Sequence, residues 1–266
     1  MSAREMVITN VMLGVLAACG GGATSGGSGA DAGDVSGTGS VQAYKLSGKA
    51  TDTHGAPISG ANLQTCNPLF FNSCMTGATA ADGKYSFDLP PANVWNANAS
   101  ISKVFNGRTY CLDLMPDVAT TFSSTDGAIR NFSWKIIGLR PDAAAANEYT
   151  SYYGAGANIT PGDFNNEVPV NDVVVHFVPV GPLVDGSAGQ AFTANARDWV
   201  WNIIGNIPLG RYTVTAEYVP AGGAKLALLV GTTFMQYAAS ATLDFDPASS
   251  SSCVGPVEGK VYVAFP

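Results

Sequence analysis

Two histidines, five cysteines and a few closely spaced aspartates are the side chains of this 266-residue chain that could carry chemistry. A metal centre calls for CxxC-type spacing or histidines nearby, and neither surrounds Cys19, Cys66, Cys74, Cys111 or Cys253. A catalytic thiol needs a histidine base and an orienting group, whereas His54 and His176 each stand alone in the sequence. The acids Asp82, Asp88, Asp244 and Asp246 offer carboxylates. Asp82-Gly83 is accounted for as a tight turn and "LDFDP" as a strand end, and paired acids alone do not identify a hydrolase. Asp244 and Asp246 could hold Ca²⁺ with loop oxygens, but two solvated side chains on one strand face are the simpler reading. The expectation is a non-enzymatic chain with no metal and no cofactor.

Cys19 has a different chemistry open to it. Arg4 lies beside the amino terminus, and Val7 to Ala18 is an apolar run of about a dozen residues, short of the roughly 20 that span a bilayer. That is the pattern of a signal peptide over 1–18. Leu16-Ala17-Ala18-Cys19 resembles the lipobox of bacterial lipoproteins, in which small residues admit the peptidase and the cysteine thiol receives a diacylglycerol. Residues 19–41 then read as a disordered Gly/Ser-rich tether, whose reach of about 25 Å would hold a folded domain clear of lipid headgroups. No strand precedes these glycines and no helix pattern follows, so they do not read as a phosphate loop. The resemblance implies an extracytoplasmic protein with the membrane as its partner. Gly20 after the cysteine, where Asp is absent, is compatible with sorting to an outer membrane.

Export into an oxidising compartment suits the remaining four cysteines, an even number that permits three pairings. Cys66 and Cys74 flank only the seven residues "NPLFFNS", so their encounter costs the least chain entropy. Cys111 and Cys253 are left to pair by elimination.

Charged residues make up 12% of the chain and its net charge is −7, so no basic face is available for phosphates and nucleic acid is excluded as a partner. Thirty-one glycines and 15 prolines, among many Thr, Ser, Asn and Val, favour short strands and turns over long helices. Leu46, Gly48 and Ala50 alternate with Ser47, Lys49 and Thr51, as a half-buried strand requires. Ala61, Leu63 and Thr65 share one face of a returning strand, and Tyr85, Phe87 and Leu89 share one face of another.

These residues resemble a family. Gly48, Asp52, Gly55, Pro57-Ile58, Gly60-Ala61, Thr79, Asp82-Gly83, Tyr85, Phe87 and Leu89-Pro90 are similar to the carboxypeptidase regulatory-like domain, related to transthyretin-like and Cna protein B-type modules. The resemblance implies a prealbumin-like β-sandwich over 42–138 and no activity by itself. "NASISKVF" and "RTYCLDLM" would continue the sandwich, with Phe132, Trp134 and Ile136 facing inward at its close. Some Cna protein B-type domains carry a Lys–Asn isopeptide bond beside a buried acid. Lys49 and Asn131 are the candidates by position, but Lys49 falls on the polar face and no acid is evident between them.

Residues 139 to about 168 show no sustained period and read as a connector. Beyond them "VNDVVVHFVPVGPL" reads as a buried strand, and "IPLGRYTVTAEY" resembles the Leu-Pro-x-Gly-x-Tyr segment of the same family. A second, diverged sandwich is therefore expected over 139–266. The fold class is all-β: tandem prealbumin-like or Ig-like β-sandwiches after a lipidated tether.

For function, the sequence offers a non-catalytic binding module for neutral carbohydrate, with a spacer or accessory subunit docked to another envelope protein as the alternative. Sugar rings would stack on exposed aromatics. Phe70 and Phe71 lie between cysteines and Tyr152 and Tyr153 in the connector, so these four are the candidate ligand contacts. Trp199 and Trp201, two apart in "DWVWN", read as one core-facing strand edge.

Lipidation is directly testable. The parent chain should partition into detergent, and Cys19→Ala should remain in the aqueous phase; equal partitioning of the two would exclude an anchor at Cys19.

Overall fold

The computed structural model describes residues 40–92, 94–247 and 257–266. The signal peptide, Cys19, the tether as far as residue 39, and Cys253 lie outside the described residues. From Thr38 onward the chain forms one compact unit, built as two β lobes in sequence.

The first lobe holds β1 (Lys45–Thr51), β2 (Asn62–Cys66), β3 (Cys74–Ala78), β4 (Lys84–Asp88), β5 (Asn96–Phe105), β6 (Arg108–Pro116), β7 (Ala128–Ile129) and β8 (Phe132–Trp134). Their hydrogen-bonded order is β3-β2-β5-β6-β8-β1-β4, with the short β7 alongside β1. The expected alternation holds. Leu46 and Ala50 of β1, Ala61 before β2, Leu63 and Thr65 of β2, and Phe132 and Trp134 of β8 are all buried. Gly48 occupies the inward position between Leu46 and Ala50 because the backbone passes there: a Cβ would lie 1.8 Å from the Arg130 carbonyl oxygen. The space is used by Tyr85, which sits across from Gly48 and donates its hydroxyl to the same carbonyl at 2.7 Å. The expected turns form as well. Asp52 Oδ1 accepts the N–H groups of His54 and Ala56, and Gly55 and Gly83 adopt positive φ.

Strand registers give this lobe two distinct poles. Lys45 pairs with Asp88, and Cys66 pairs with both Cys74 and Asn96, so the chain enters at the pole that carries the β2–β3 turn. Phe105 pairs with Arg108 at the opposite pole, and that pole meets the second lobe.

The second lobe contains β9 (Ala155–Pro161), β10 (Val173–Pro179), β11 (Phe192–Asn195), β12 (Ile203–Ile207), β13 (Tyr212–Tyr218), β14 (Leu226–Thr233), β15 (Gln236–Ala238), β16 (Ala241–Leu243) and β17 (Glu258–Ala264). The order is β11-β10-β13-β14-β17-β9-β12, with β15 on β14 and β16 on β13. Two expectations need correction. β9 lies inside the stretch read as a connector: its "AGANITP" looks like breakers, yet Ala155, Ala157 and Ile159 are buried between β17 and β12 because small residues let the strands pack closely. β10 is not buried on both faces, since Val173, Val175 and Phe177 point inward while His176 meets Thr193 on the outer one.

The lobes share packing. Leu112, Ile136 and Val184 lie against both hydrophobic cores, and Tyr110 of β6 is buried in the core of the second lobe. Gly48→Ala should place a methyl against the Arg130 carbonyl and cost about 1–3 kcal/mol. Denaturant titration of the variant against the parent measures this, and an unchanged midpoint would contradict the close approach.

Candidate functional site

Cysteine placement comes first. Cys66 and Cys74 form the expected disulfide, with their Cα atoms 4.1 Å apart across paired strand ends. Cys111 is also disulfide-bonded, and Cys253, its expected partner, lies outside the described residues.

The aspartates weighed for Ca²⁺ are committed elsewhere. Arg211 grips Asp244 with two hydrogen bonds of 2.8 and 2.7 Å, and Asn106 reaches the same carboxylate at 3.4 Å. Arg108 donates to Asp246 at 2.7 Å and to the Phe245 carbonyl at 2.6 Å, and the buried Tyr110 hydroxyl donates to that carbonyl at 2.7 Å. These contacts join the first lobe to the loop after β16. The Arg211 hydrogen bonds hold the Asp244 carboxyl below its ordinary value, while burial pushes the Tyr110 phenol up. Asp82 and Asp88 pair with Lys84 and Lys45. Among the described residues no group of three or more His, Cys, Asp or Glu is placed to hold a metal ion.

The aromatic candidates separate. Phe70 and Phe71 are exposed at the pole where the chain enters. Tyr152 is half-buried, edge-on to Trp199 at 5.5 Å, with its hydroxyl donated to the Ala146 carbonyl at 2.6 Å. It braces this segment and also lines the smaller of the two clefts described below. Trp199 and Trp201 are not on one strand face. Trp199 is the extended residue between two 3-10 turns, 196–198 and 200–202, and packs against the core, whereas Trp201 belongs to the second turn and points outward, 74% exposed with φ +55°.

Tyr153 falls in a concave surface. Residues 138–140 run beside 151–153: Arg140 N–H donates to Ser151 O, Tyr153 N–H to Gly138 O, and Arg140 Nε to Tyr152 O. The Arg140 guanidinium then lies 4.7 Å from the Tyr153 ring centre and bonds Asp113 of β6 at 2.9 Å. Arg140, Asp113, Asp142 and Tyr153 wall two adjoining clefts, of about 270 Å³ and 530 Å³. The larger is floored by the outward face of β2 and β5. There Asn62 sits opposite Ser100 and Gln64 opposite Asn98, and no hydrogen bond engages these four side chains among the described residues. Burial raises the Tyr153 phenol to about 12, which keeps it neutral and able to donate near neutral pH. The arrangement offers neutral donors and acceptors in a row beside one aromatic edge and one ion pair.

Sequence reasoning missed Asn62, Gln64, Asn98, Ser100, Asp113 and Arg140. The signal was present in the polar phase of the strands "NLQTC" and "NANAS", whose outward positions carry amides and hydroxyls. It also missed an aromatic cluster in which the half-buried Phe234 stands 5.5 Å from both the exposed Phe164 and the half-buried Tyr262. Lys49 meets Asn131 only through its backbone N–H, at 3.1 Å, and an acid missed from the sequence, Asp117, accepts from the Asn131 side chain at 2.9 Å.

No protein-family model matches the chain, and no curated protein matches significantly. Among solved structures it is similar to the TIE protein of Bacillus anthracis at 11% identity and TM-score 0.26, over 82% of this chain and 33% of that one. A streptococcal ancillary pilin gives 11% identity and TM-score 0.25 over 81% and 62%. The shaft pilin SpaA of Lactobacillus rhamnosus GG gives 10% and 0.22 over 85% and 100%. The chain spans less than two thirds of the first two. Likeness at these scores is too loose to transfer a role. No helix among the described residues is long and apolar enough to cross a membrane.

The Asp244 pairing has a pH signature. A carboxyl held below its unfolded value stabilises the fold above that value, near pH 4, and the stabilisation is lost as pH falls through the lower folded value. Thermal melts between about pH 6 and pH 2.5 should show the parent losing stability below about pH 4. Asp244→Asn should be less stable by about 1 kcal/mol at neutral pH and decline less steeply in acid; parallel curves would exclude the contribution.

Proposed function

We propose that this chain is a non-catalytic binding module of the bacterial envelope, anchored through Cys19, and that the cleft between Tyr153 and the β2–β5 face takes a neutral carbohydrate. The observation that carries the reading is the uncommitted amide and hydroxyl row, Asn62, Gln64, Asn98 and Ser100, beside Tyr153. Sugar hydroxyls need paired neutral donors and acceptors together with an apolar or aromatic surface, and a cleft of this kind supplies both. The only formal charges on its walls are Arg140, Asp113 and Asp142, of which Arg140 and Asp113 neutralise each other. That balance, with the net charge of −7, favours neutral glycans over polyanionic ones. Of the four aromatic residues nominated from the sequence, Tyr153 remains as the ligand contact.

One observation favours a second reading, that of a spacer or accessory subunit. The lobes are joined by ion pairs, a buried tyrosine hydroxyl and common apolar packing, which makes a stiff two-lobed body.

A glycan array probed with the compact unit from Thr38 onward decides between them. Binding to a neutral glycan should weaken about ten-fold or more in Asn98→Ala or Tyr153→Ala, since each loses on the order of 1.4 kcal/mol of polar or stacking contact. Phe70→Ala should leave it unchanged. Absence of binding by a folded parent would favour the spacer.

A further inference from the structure

The loop between β2 and β3, Asn67 to Ser73, is used by neither the cleft nor the junction. It presents three apolar side chains in succession: Leu69 is 69% exposed, Phe70 66%, and Phe71 completely. No charged residue occurs from Asn62 to Ala81. The Cys66–Cys74 disulfide closes the base of the loop. Three of its amides are bonded internally: Asn67 N–H donates to Ser73 O, Phe70 N–H to Asn67 O, and Leu69 N–H to the buried Asn67 Oδ1 at 3.0 Å. Pro68 has no N–H to satisfy. Engaging these three amides lowers the cost of bringing the loop into the bilayer interface, where water and headgroups remain available to the others.

We propose that this loop is a membrane-seating tip, inserting Leu69, Phe70 and Phe71 into the interface of a zwitterionic phospholipid bilayer. The proposal rests on the envelope location argued above and goes beyond it, because it gives the module an orientation. The tip occupies the pole at which β1 begins, while the second lobe is attached at the opposite pole. Insertion therefore stands the first lobe on the membrane and turns the second lobe outward. A protein partner is the weaker fit. A convex loop of three side chains falls short of the roughly 800 Å² per partner that a stable interface buries, whereas a bilayer accepts an apolar protrusion without a complementary shape. The net charge of −7 disfavours anionic lipid.

The full chain carrying Phe71→Trp is mixed with phosphatidylcholine vesicles whose acyl chains are brominated, and the added emission is taken as the difference from the parent. Val178→Trp, at an exposed position of β10 in the second lobe, is the reference. Quenching at position 71 at least about three-fold greater than at position 178 is expected. Equal quenching at both positions, or none at 71, overturns the tip. Glycan binding is read separately, so a chain that binds no glycan but is quenched at position 71 leaves this inference standing and removes the carbohydrate reading.

Discussion

One carbonyl carries much of the architecture. The Phe245 oxygen accepts from the buried Tyr110 hydroxyl and from Arg108, both on β6 of the first lobe, while the Phe245 ring packs against Tyr212 in the core of the second. A buried carbonyl that loses its donors while the joint stays closed costs more than the bond it lacks, so Tyr110 and Arg108 are held to this oxygen as long as the lobes are packed. Asp244 and Asp246 flank it in ion pairs that are partly exposed and individually weak. Their effect is to fix register around the buried Tyr110–Phe245 hydrogen bond. Leu112, Ile136 and Val184, lying against both cores, exclude water from the same joint.

That joint determines the cleft. Arg140 follows β8 at the crossing between lobes and has four simultaneous tasks: a backbone bond to Ser151, a side-chain bond to the Tyr152 carbonyl, an ion pair with Asp113, and a cation–π contact with Tyr153. A planar guanidinium can hold the last three at once where a lysine ammonium could not. Tyr153 is thereby held against β6, next to the amide row of β2 and β5. Each of these groups is ordinary alone; the crossing puts a rigid aromatic edge beside hydrogen-bonding groups with no internal partner, which is what a recognition surface requires.

The fold was legible where the hydrophobic period was strong. Tyr85, Phe132 and Tyr212 lie in alternating strands whose inward phase is evident in the sequence, and the close Cys66–Cys74 spacing identified its own bridge. β9 was not legible because Ala and Gly carry little hydrophobic signal, although Ala157 is fully buried where strands pack tightly. Trp201 was misplaced because a period of two assumes an extended chain, and a 3-10 turn begins directly after Trp199. The cleft was hidden for a topological reason. Asn62 and Asn98 are 36 residues apart in a chain whose strand order is not sequential, and Arg140 reaches Asp113 only after β8 has closed the sheet. A search for exposed aromatics in loops finds Tyr153 and Phe71 alike, and only the packing around each distinguishes them.

Strand edges differ in the features that oppose pairing with another chain. An exposed edge is a template for another chain unless it is short, bulged or charged. β11 at one edge of the second sheet has four residues, and β12 at the other breaks register between Ile204 and Ile207, where Asn206 adopts positive φ. β4 carries Lys84 and Asp88 at its ends. β3 is the exception: "CMTGA" is uncharged, flat and largely exposed. It is five residues long and bonded covalently to β2 through Cys74, so it cannot slip or peel away to pair elsewhere. The disulfide therefore has a role independent of any ligand, since it permits an uncharged edge to end in an uncharged, apolar loop without making that hairpin an aggregation site.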